Sequence, residues 1–163
     1  MMKQFTAICL LILVLTSCTK KDNSISHTNC DGVLTDTSGT GDTARIYMPN
    51  AFTPNNDGLN DIIKPFTKSI QSINFIVYDG NNNEVFSTNQ SGTGWPGLST
   101  ANSGSIYYYK IKTVTLQNHH IDKCGAFLQL SCLPPKTPDL YFEDQITANG
   151  FTAVTGESLP NCP

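Results

Sequence analysis

Oxygen-bearing side chains recur at nearly alternate positions in one short stretch of the chain. The stretch contains Gly58 at its sixth position and five candidate ligands, Thr53, Asn55, Asp57, Asn60 and Asp61. Hydroxyl, amide and carboxylate oxygens at this spacing resemble the ligands of calcium loops. It is not an EF-hand, because the twelfth position holds Lys64 where a bidentate Glu is needed. An Asx turn without an ion explains the same residues, so Ca²⁺ remains a candidate cofactor beside a purely structural turn.

Aromatic side chains form a second candidate site. Trp95 and the run Tyr107 to Tyr109 offer flat faces on which a sugar ring stacks, with Trp95 and Tyr108 as the candidate glycan contact. Alternation along a strand would instead make Trp95, Tyr107 and Tyr109 core residues and leave only Tyr108 at the surface.

Catalytic and metal motifs are missing from the sequence. It contains no G-x-S-x-G, no H-E-x-x-H and no phosphate-binding loop, and only three histidines. His119 and His120 with Asp122 are best explained as a solvated loop, because adjacent residues of a strand point to opposite faces. We therefore predict a protein that is not an enzyme, with no catalytic residues and no firm metal ligand.

An export signal opens the chain. Residues 1–17 contain Lys3, an apolar run from Ile8 to Leu15 that is short for a membrane span, and a small-residue cleavage site. Cys18 follows at once, so the site resembles a bacterial lipobox, which implies acylation of Cys18 and attachment to a membrane. Because Thr19 rather than Asp follows, the outer membrane is the expected address, with the leaflet open.

The length and charge of the chain after residue 17 limit the classes of protein to which it can belong. Removing residues 1–17 leaves 146 residues, with nine basic and thirteen acidic side chains and a formal charge of −4. No basic stripe is present, so we predict no nucleic-acid partner. Residues 18–44 have the polar composition of a flexible tether, residues 45–132 that of one folded domain, and residues 133–163 form a C-terminal extension.

Four cysteines remain after lipidation, Cys30, Cys124, Cys132 and Cys162. Exported chains form disulfides, and no C-x-x-C spacing favours zinc. A strand from Cys124 to Cys132 would separate their Cα atoms by roughly 26 Å, whereas a disulfide needs them within about 7 Å. Two connectivities stay open, Cys30–Cys124 with Cys132–Cys162, or Cys30–Cys132 with Cys124–Cys162.

The patterns between these sites predict an all-β domain. Ile70 to Val77 and Glu84 to Phe86, joined by a loop of Gly and Asn, predict a hairpin. Ile106 to Val114 alternates, with Tyr107, Tyr109 and Ile111 on the buried face. Gly125 to Cys132 predicts a last strand, with Ala126, Leu128 and Leu130 inward and Phe127, Gln129 and Ser131 outward.

Several motifs resemble those of one family. Residues 49–61, PNAFTPNNDGLND, are similar to the opening of the gliding-motility-associated C-terminal domain of exported Bacteroidetes proteins, and later motifs follow in that family's order through residues 125–130. The resemblance spans residues 46–130. It implies an immunoglobulin-like antiparallel β-sandwich and a role as a sorting domain of type IX secretion. In such folds the first strand often runs parallel to the last, which favours Cys30–Cys124 with Cys132–Cys162.

The extension departs from this family. In type IX cargo the closing strand lies at or near the C-terminus, whereas here residues 133–163 follow it, and their apolar segments 141–145 and 150–154 are expected to pack back on the sandwich. We therefore expect a non-enzymatic envelope lipoprotein that binds or supports envelope or secretion proteins. The alternatives are a type IX sorting module and a carbohydrate-binding surface lipoprotein.

Overall fold

A computed structural model describes residues 30, 43–135, 139–147 and 150–163, and Cys18 with the export signal lies outside them. The described chain is all-β, as predicted. Its strands are β1 (Arg45–Tyr47), β2 (Ala51–Phe52), β3 (Phe66–Lys68), β4 (Ile70–Tyr78), β5 (Glu84–Thr88), β6 (Ser105–Thr115), β7 (Lys123–Gln129), β8 (Ile146–Thr147) and β9 (Gly150–Phe151). The extension also contains one 3₁₀ turn, Glu143–Gln145, and no helix in the described ranges is long and apolar enough to cross a membrane.

The central element is a five-stranded sheet in the order β2-β7-β6-β4-β5. Strands β4 and β5 form the predicted hairpin, and β6 pairs antiparallel with both β4 and β7. The short strand β2 pairs with β7 in parallel, through Ala51 with Leu128 and Phe52 with Gln129. The loop that precedes β3 therefore starts at one edge of this sheet.

A two-stranded ribbon, β1 paired with β3, provides the second layer. Residues of the ribbon and of the following loop, such as Ile46 and Met48, pack on one face of the five-stranded sheet. The main core consists of the buried side chains of Ile46, Met48, Phe52, Ile63, Ile73, Phe75, Val77, Trp95, Tyr107, Tyr109, Ile111 and Phe127. This arrangement is sandwich-like, while the immunoglobulin-like topology stays a prediction.

The prediction for β6 is right for the face that packs on the core and wrong for Tyr108 on the opposite face. Tyr107, Tyr109 and Ile111 are buried in the core, which confirms the alternation. Tyr108, expected at the surface, is only 9% exposed. It lies in the central strand, opposite Tyr78 of β4 on one side and Ala126 of β7 on the other, so its ring is flanked by two strands.

The predicted facing is wrong within β7, although just beyond the strand Leu130 is buried and Ser131 is exposed, as predicted. Phe127 is 1% exposed and belongs to the main core, whereas Ala126 is exposed and Leu128 is half-buried. The aromatic ring decides the phase, because it stacks on Tyr107 and Tyr109 at centroid distances of 5.9 and 6.4 Å. Gln129, predicted outward, is buried as well.

Two disulfides join segments that are distant in sequence. Cys30 is bonded to Cys124 in β7, and Cys132 is bonded to Cys162. This is the first of the two connectivities that the sequence left open. The second disulfide ties the extension back to the residues just beyond β7, where Leu133 and Asn161 also form a parallel bridge.

Candidate functional site

The loop between β2 and β3 turns sharply because of three residues with positive φ. Asn56, Gly58 and Asn60 have φ of 63°, 90° and 54°. Asn and Gly adopt this left-handed conformation at the lowest cost, which explains their recurrence here. The loop closes on itself through a bond from the Thr53 N–H to the Asn60 carbonyl oxygen, 2.9 Å long.

The carboxylates of the candidate calcium loop accept hydrogen bonds from the loop's own backbone. Asp57 accepts from the Leu59 N–H at 2.8 Å and from the side-chain Nδ2 of Asn55, also at 2.8 Å. Asp61 accepts from the N–H groups of Asn56 and Gly58. These are the bonds of a structural turn. Within the described ranges no three His, Cys, Asp or Glu side chains are grouped closely enough to hold a metal ion.

The two buried polar side chains of the loop face the extension instead. Thr53 is fully buried and Asn60 is 7% exposed. The Thr53 hydroxyl donates to Glu157 Oε2 at 2.6 Å, and Asn60 Nδ2 donates to the same oxygen at 3.1 Å. Two donors thus converge on one carboxylate oxygen, which is the arrangement of a small carboxylate receptor.

Asn50, just before β2, binds the backbone of the extension. Its Nδ2 donates to the Asp139 carbonyl oxygen at 2.9 Å, and its Oδ1 accepts from the Tyr141 N–H at 2.6 Å. Its own N–H donates to the Tyr141 carbonyl oxygen at 2.9 Å. These three bonds hold residues 139–141 of the extension beside the residue that directly precedes β2.

An apolar cluster lies beside these bonds. The Phe142 ring, 4% exposed, packs with Ala51 and Leu130, and three half-buried leucines surround them, Leu128, Leu140 and Leu159. The extension therefore supplies an aromatic anchor directly after the segment that Asn50 binds.

An ion pair and a further hydrogen bond also join the loop to the extension. Lys64 Nζ lies 2.9 Å from Glu143 Oε1, in a pair about one-third exposed. The Asp144 N–H donates to Asn60 Oδ1 at 3.1 Å. Both polar atoms of the Asn60 amide are thus bonded to the extension, at Asp144 and at Glu157.

Sequence reasoning missed three of these residues, Asn50, Glu157 and Gln129. Gln129 is buried and its amide binds both backbone groups of Leu98, at 3.1 and 2.8 Å. An isolated Asn, Gln or Glu carries no spacing signal that would distinguish such a role. The position of Asn50 inside the motif 49–61 was the only available hint.

The two residues of the predicted glycan contact, Trp95 and Tyr108, are not exposed at the surface. Trp95 is 3% exposed and packs against Tyr107 at a centroid distance of 4.6 Å. Because Tyr108 is buried too, neither ring offers a free face, and the prediction of a solvent-facing Tyr108 is wrong.

Two further clefts lie near the sheet. One of about 450 Å³ separates the loop, at Pro54 and Asp61, from Leu98 and Ser103. Another of about 390 Å³ is lined by Asn74, Lys112, His120 and Asp122. Asp122 is buried and accepts from the Thr113 N–H at 3.0 Å, so it is not part of a solvated loop as predicted.

Burial also changes the titration of groups around the core. Desolvation raises the pKa of Tyr109 to about 12 and raises that of Tyr107 as well. It lowers the pKa of Lys123, whose ammonium donates to the Ile46 carbonyl oxygen at 3.1 Å. Hydrogen bonds from Asn83 lower the pKa of Asp79 in the β4–β5 turn.

These features define a class: a disulfide-bonded β domain whose opening loop is covered by a C-terminal extension. The chain belongs to the CHU_C type IX secretion signal domain family, whose model matches residues 46–130. The match begins within β1 and ends just beyond β7, shortly before the extension. Membership relates the chain to type IX secretion and indicates a protein of the cell envelope or a secreted protein. No curated protein and no solved structure matches the chain.

Proposed function

We propose that this protein is an envelope lipoprotein in which the type IX secretion domain serves as a non-enzymatic binding or structural module. The single observation that carries the proposal is the contact between the family motif and the extension. The side chains of Asn50, Thr53 and Asn60 all form hydrogen bonds with the extension. The motif is therefore part of a larger folded unit in this chain, in contrast to a motif at the end of a cargo protein.

The lipid anchor rests on the sequence around Cys18. An export signal of this kind consists of the apolar run, the small residues that follow it and Cys18 itself. An acylated Cys18 would hold the module at the outer membrane, at the end of the polar residues 19–44.

A type IX sorting module is the second candidate, and the family match favours it. The two functions predict different behaviour of a reporter. Residues 46–163 fused to the C-terminus of a periplasmic reporter would carry it to the cell surface if they act as a sorting signal. If the reporter stays in the periplasm, sorting is excluded and the envelope module stands.

The main proposal is tested by lipid labelling and protease shaving. Cells expressing the wild-type chain are fed a labelled fatty acid, and Cys18→Ser serves as the matched control. We expect label on the wild-type protein only, and membrane association that is lost in the variant. A wild-type protein without label, or equal membrane association of both forms, would refute the lipoprotein. Shaving of intact cells then assigns the face of the membrane.

A further inference from the structure

The contact surface of the family motif has the properties of a peptide-docking site. It contains a side chain that binds backbone, a receptor for a carboxylate and an apolar pocket for a ring. These three elements are Asn50, the pair Thr53 and Asn60, and the pocket of Ala51 and Leu130. Each of them binds a different feature of an extended chain.

The backbone contacts do not depend on the sequence of the bound segment. Asn50 pairs with one carbonyl and one N–H two residues apart, and its own N–H adds a third bond. Two of these bonds come from the Asn50 side chain and one from its backbone, and all three go to the backbone of the bound segment. In strand addition, bonds to the peptide backbone give affinity, while pockets for side chains give specificity. Here the specificity comes from the ring of Phe142 and from carboxylates.

Of the two carboxylate contacts, the one with Glu157 is built from buried donors and the one with Glu143 from a partly exposed lysine. Thr53 and Asn60, both more than nine-tenths buried, donate to Glu157, and Lys64 pairs with Glu143. Burying donors of this kind is costly unless an acceptor is supplied. The extension itself buries these two donors, and its Glu157 carboxylate supplies the acceptor that their burial demands. An acidic side chain is therefore the chemistry that matches this part of the surface.

We propose that this surface is a docking site for an extended acidic peptide segment of a partner protein, and that the extension, through residues 139–144 and Glu157, occupies it in cis until it undocks. The occupant in trans has an aromatic residue directly after the segment that Asn50 binds, with carboxylates following it. This proposal goes beyond the function proposed above and does not depend on lipidation or on cellular location.

The test uses the full chain and a labelled synthetic peptide spanning residues 139–157. Phe142→Ala with Glu157→Gln weakens the hold of the chain's own extension and leaves Asn50, Thr53 and the disulfides in place. We expect this double variant to bind the peptide at least tenfold more tightly than the wild-type chain does. Fluorescence anisotropy gives both dissociation constants.

Matched controls separate docking from nonspecific binding. Adding Asn50→Ala or Thr53→Val to the double variant should weaken peptide binding at least tenfold. A peptide carrying the same two changes, Phe142→Ala and Glu157→Gln, should not bind. Equal binding with the site variants, or no binding by a double variant with native circular dichroism and Trp95 fluorescence, would overturn the proposal.

Hydrogen exchange in the wild-type chain tests undocking even if the double variant fails to fold. The Tyr141 and Asp144 amides, bonded across the contact, should exchange at least tenfold faster than the Ile111 amide of the central strand. Equal protection would mean that the extension never leaves on its own and would refute the proposal. A wild-type dimer that dissociates on adding the peptide would instead assign the surface to the extension of a second copy.

Discussion

The hydroxyl of Thr53 donates a 2.6 Å hydrogen bond to the carboxylate of Glu157, a residue 104 positions later in the chain. The bond joins the loop that opens the family domain to a segment that lies outside the family match. Through this bond the extension can affect the stability of the domain.

Thr53→Val should lower the free energy of unfolding by about 1–3 kcal/mol, because the shape is kept while the Glu157 carboxylate loses one of its two side-chain donors. Urea unfolding measures the change. Thr67→Val is the matched control, since its hydroxyl bonds only to the exposed Ser91, and it should stay within about 0.5 kcal/mol. Equal losses in both variants would contradict the role of Glu157.

Gly125→Ala should destabilise the sheet by about 1–3 kcal/mol, because a Cβ there would lie 2.8 Å from the Tyr109 hydroxyl and 3.0 Å from its ring. Gly125 pairs directly with Tyr109 across β6 and β7. Gly80→Ala provides the control, since a Cβ at Gly80 meets nothing within 4 Å. Thermal unfolding of the two variants side by side decides the matter, and a neutral Gly125→Ala would show that the Tyr109 ring is free to move.

Stability should fall between pH 10 and 12, because burial raises the pKa of Tyr109 from 10.0 to about 12. In this window the unfolded chain loses the phenolic proton while the folded chain keeps it, so the stability that is fully present below pH 10 is lost as the pH rises. One such group lowers the unfolding free energy by about 1.4 kcal/mol per pH unit, up to about 3 kcal/mol.

Urea unfolding from pH 8 to pH 12 measures this dependence, and Tyr109→Phe is the control. The variant should show a shallower decline, with the remaining slope due to Tyr107 and Tyr78, whose pKa values are also raised by burial. An unchanged slope in Tyr109→Phe would assign the loss to other groups.

The two disulfides should differ in their contribution to stability. They close loops with sequence separations of 94 and 30 residues, so loop entropy predicts losses of about 4.7 kcal/mol for Cys30–Cys124 and about 3.6 kcal/mol for Cys132–Cys162 at 25 °C. Replacing each pair by Ala and measuring urea unfolding gives the order. A larger loss for the shorter loop would mean that contacts of the extension outweigh the entropy of the unfolded chain.

The parts of the fold that could be predicted are those with a single apolar face. In β6 the alternation of Tyr107, Tyr109 and Ile111 with lysines fixes which side is buried. In β7 it does not, because Ala126, Phe127 and Leu128 are all apolar and either phase satisfies the pattern. Only the packing of the Phe127 ring against β6 decides it.

The candidate site could be predicted only in part. The loop residues 53–61 were found because Asn, Asp and Gly at close spacing indicate a turn, and their backbone bonds are local. The partners of Asn50 and Thr53 were not found, since they lie 89 to 104 residues away and a single hydrogen bond between distant polar groups leaves no periodic pattern. Cysteine geometry, in contrast, removed one of three pairings.

The two disulfides give the domain a mechanical property. Cys30 is joined to Cys124 within β7, and Cys162 is joined to Cys132, three residues beyond the end of that strand. A pull applied between Cys30 and Cys162 therefore passes through covalent bonds and the nine residues 124–132 alone. β7 lies between β2 and β6 and is already extended, so tension can lengthen this part of the chain very little. The ribbon, the loop between β2 and β3, and the extension up to Cys162 lie outside this covalent load path.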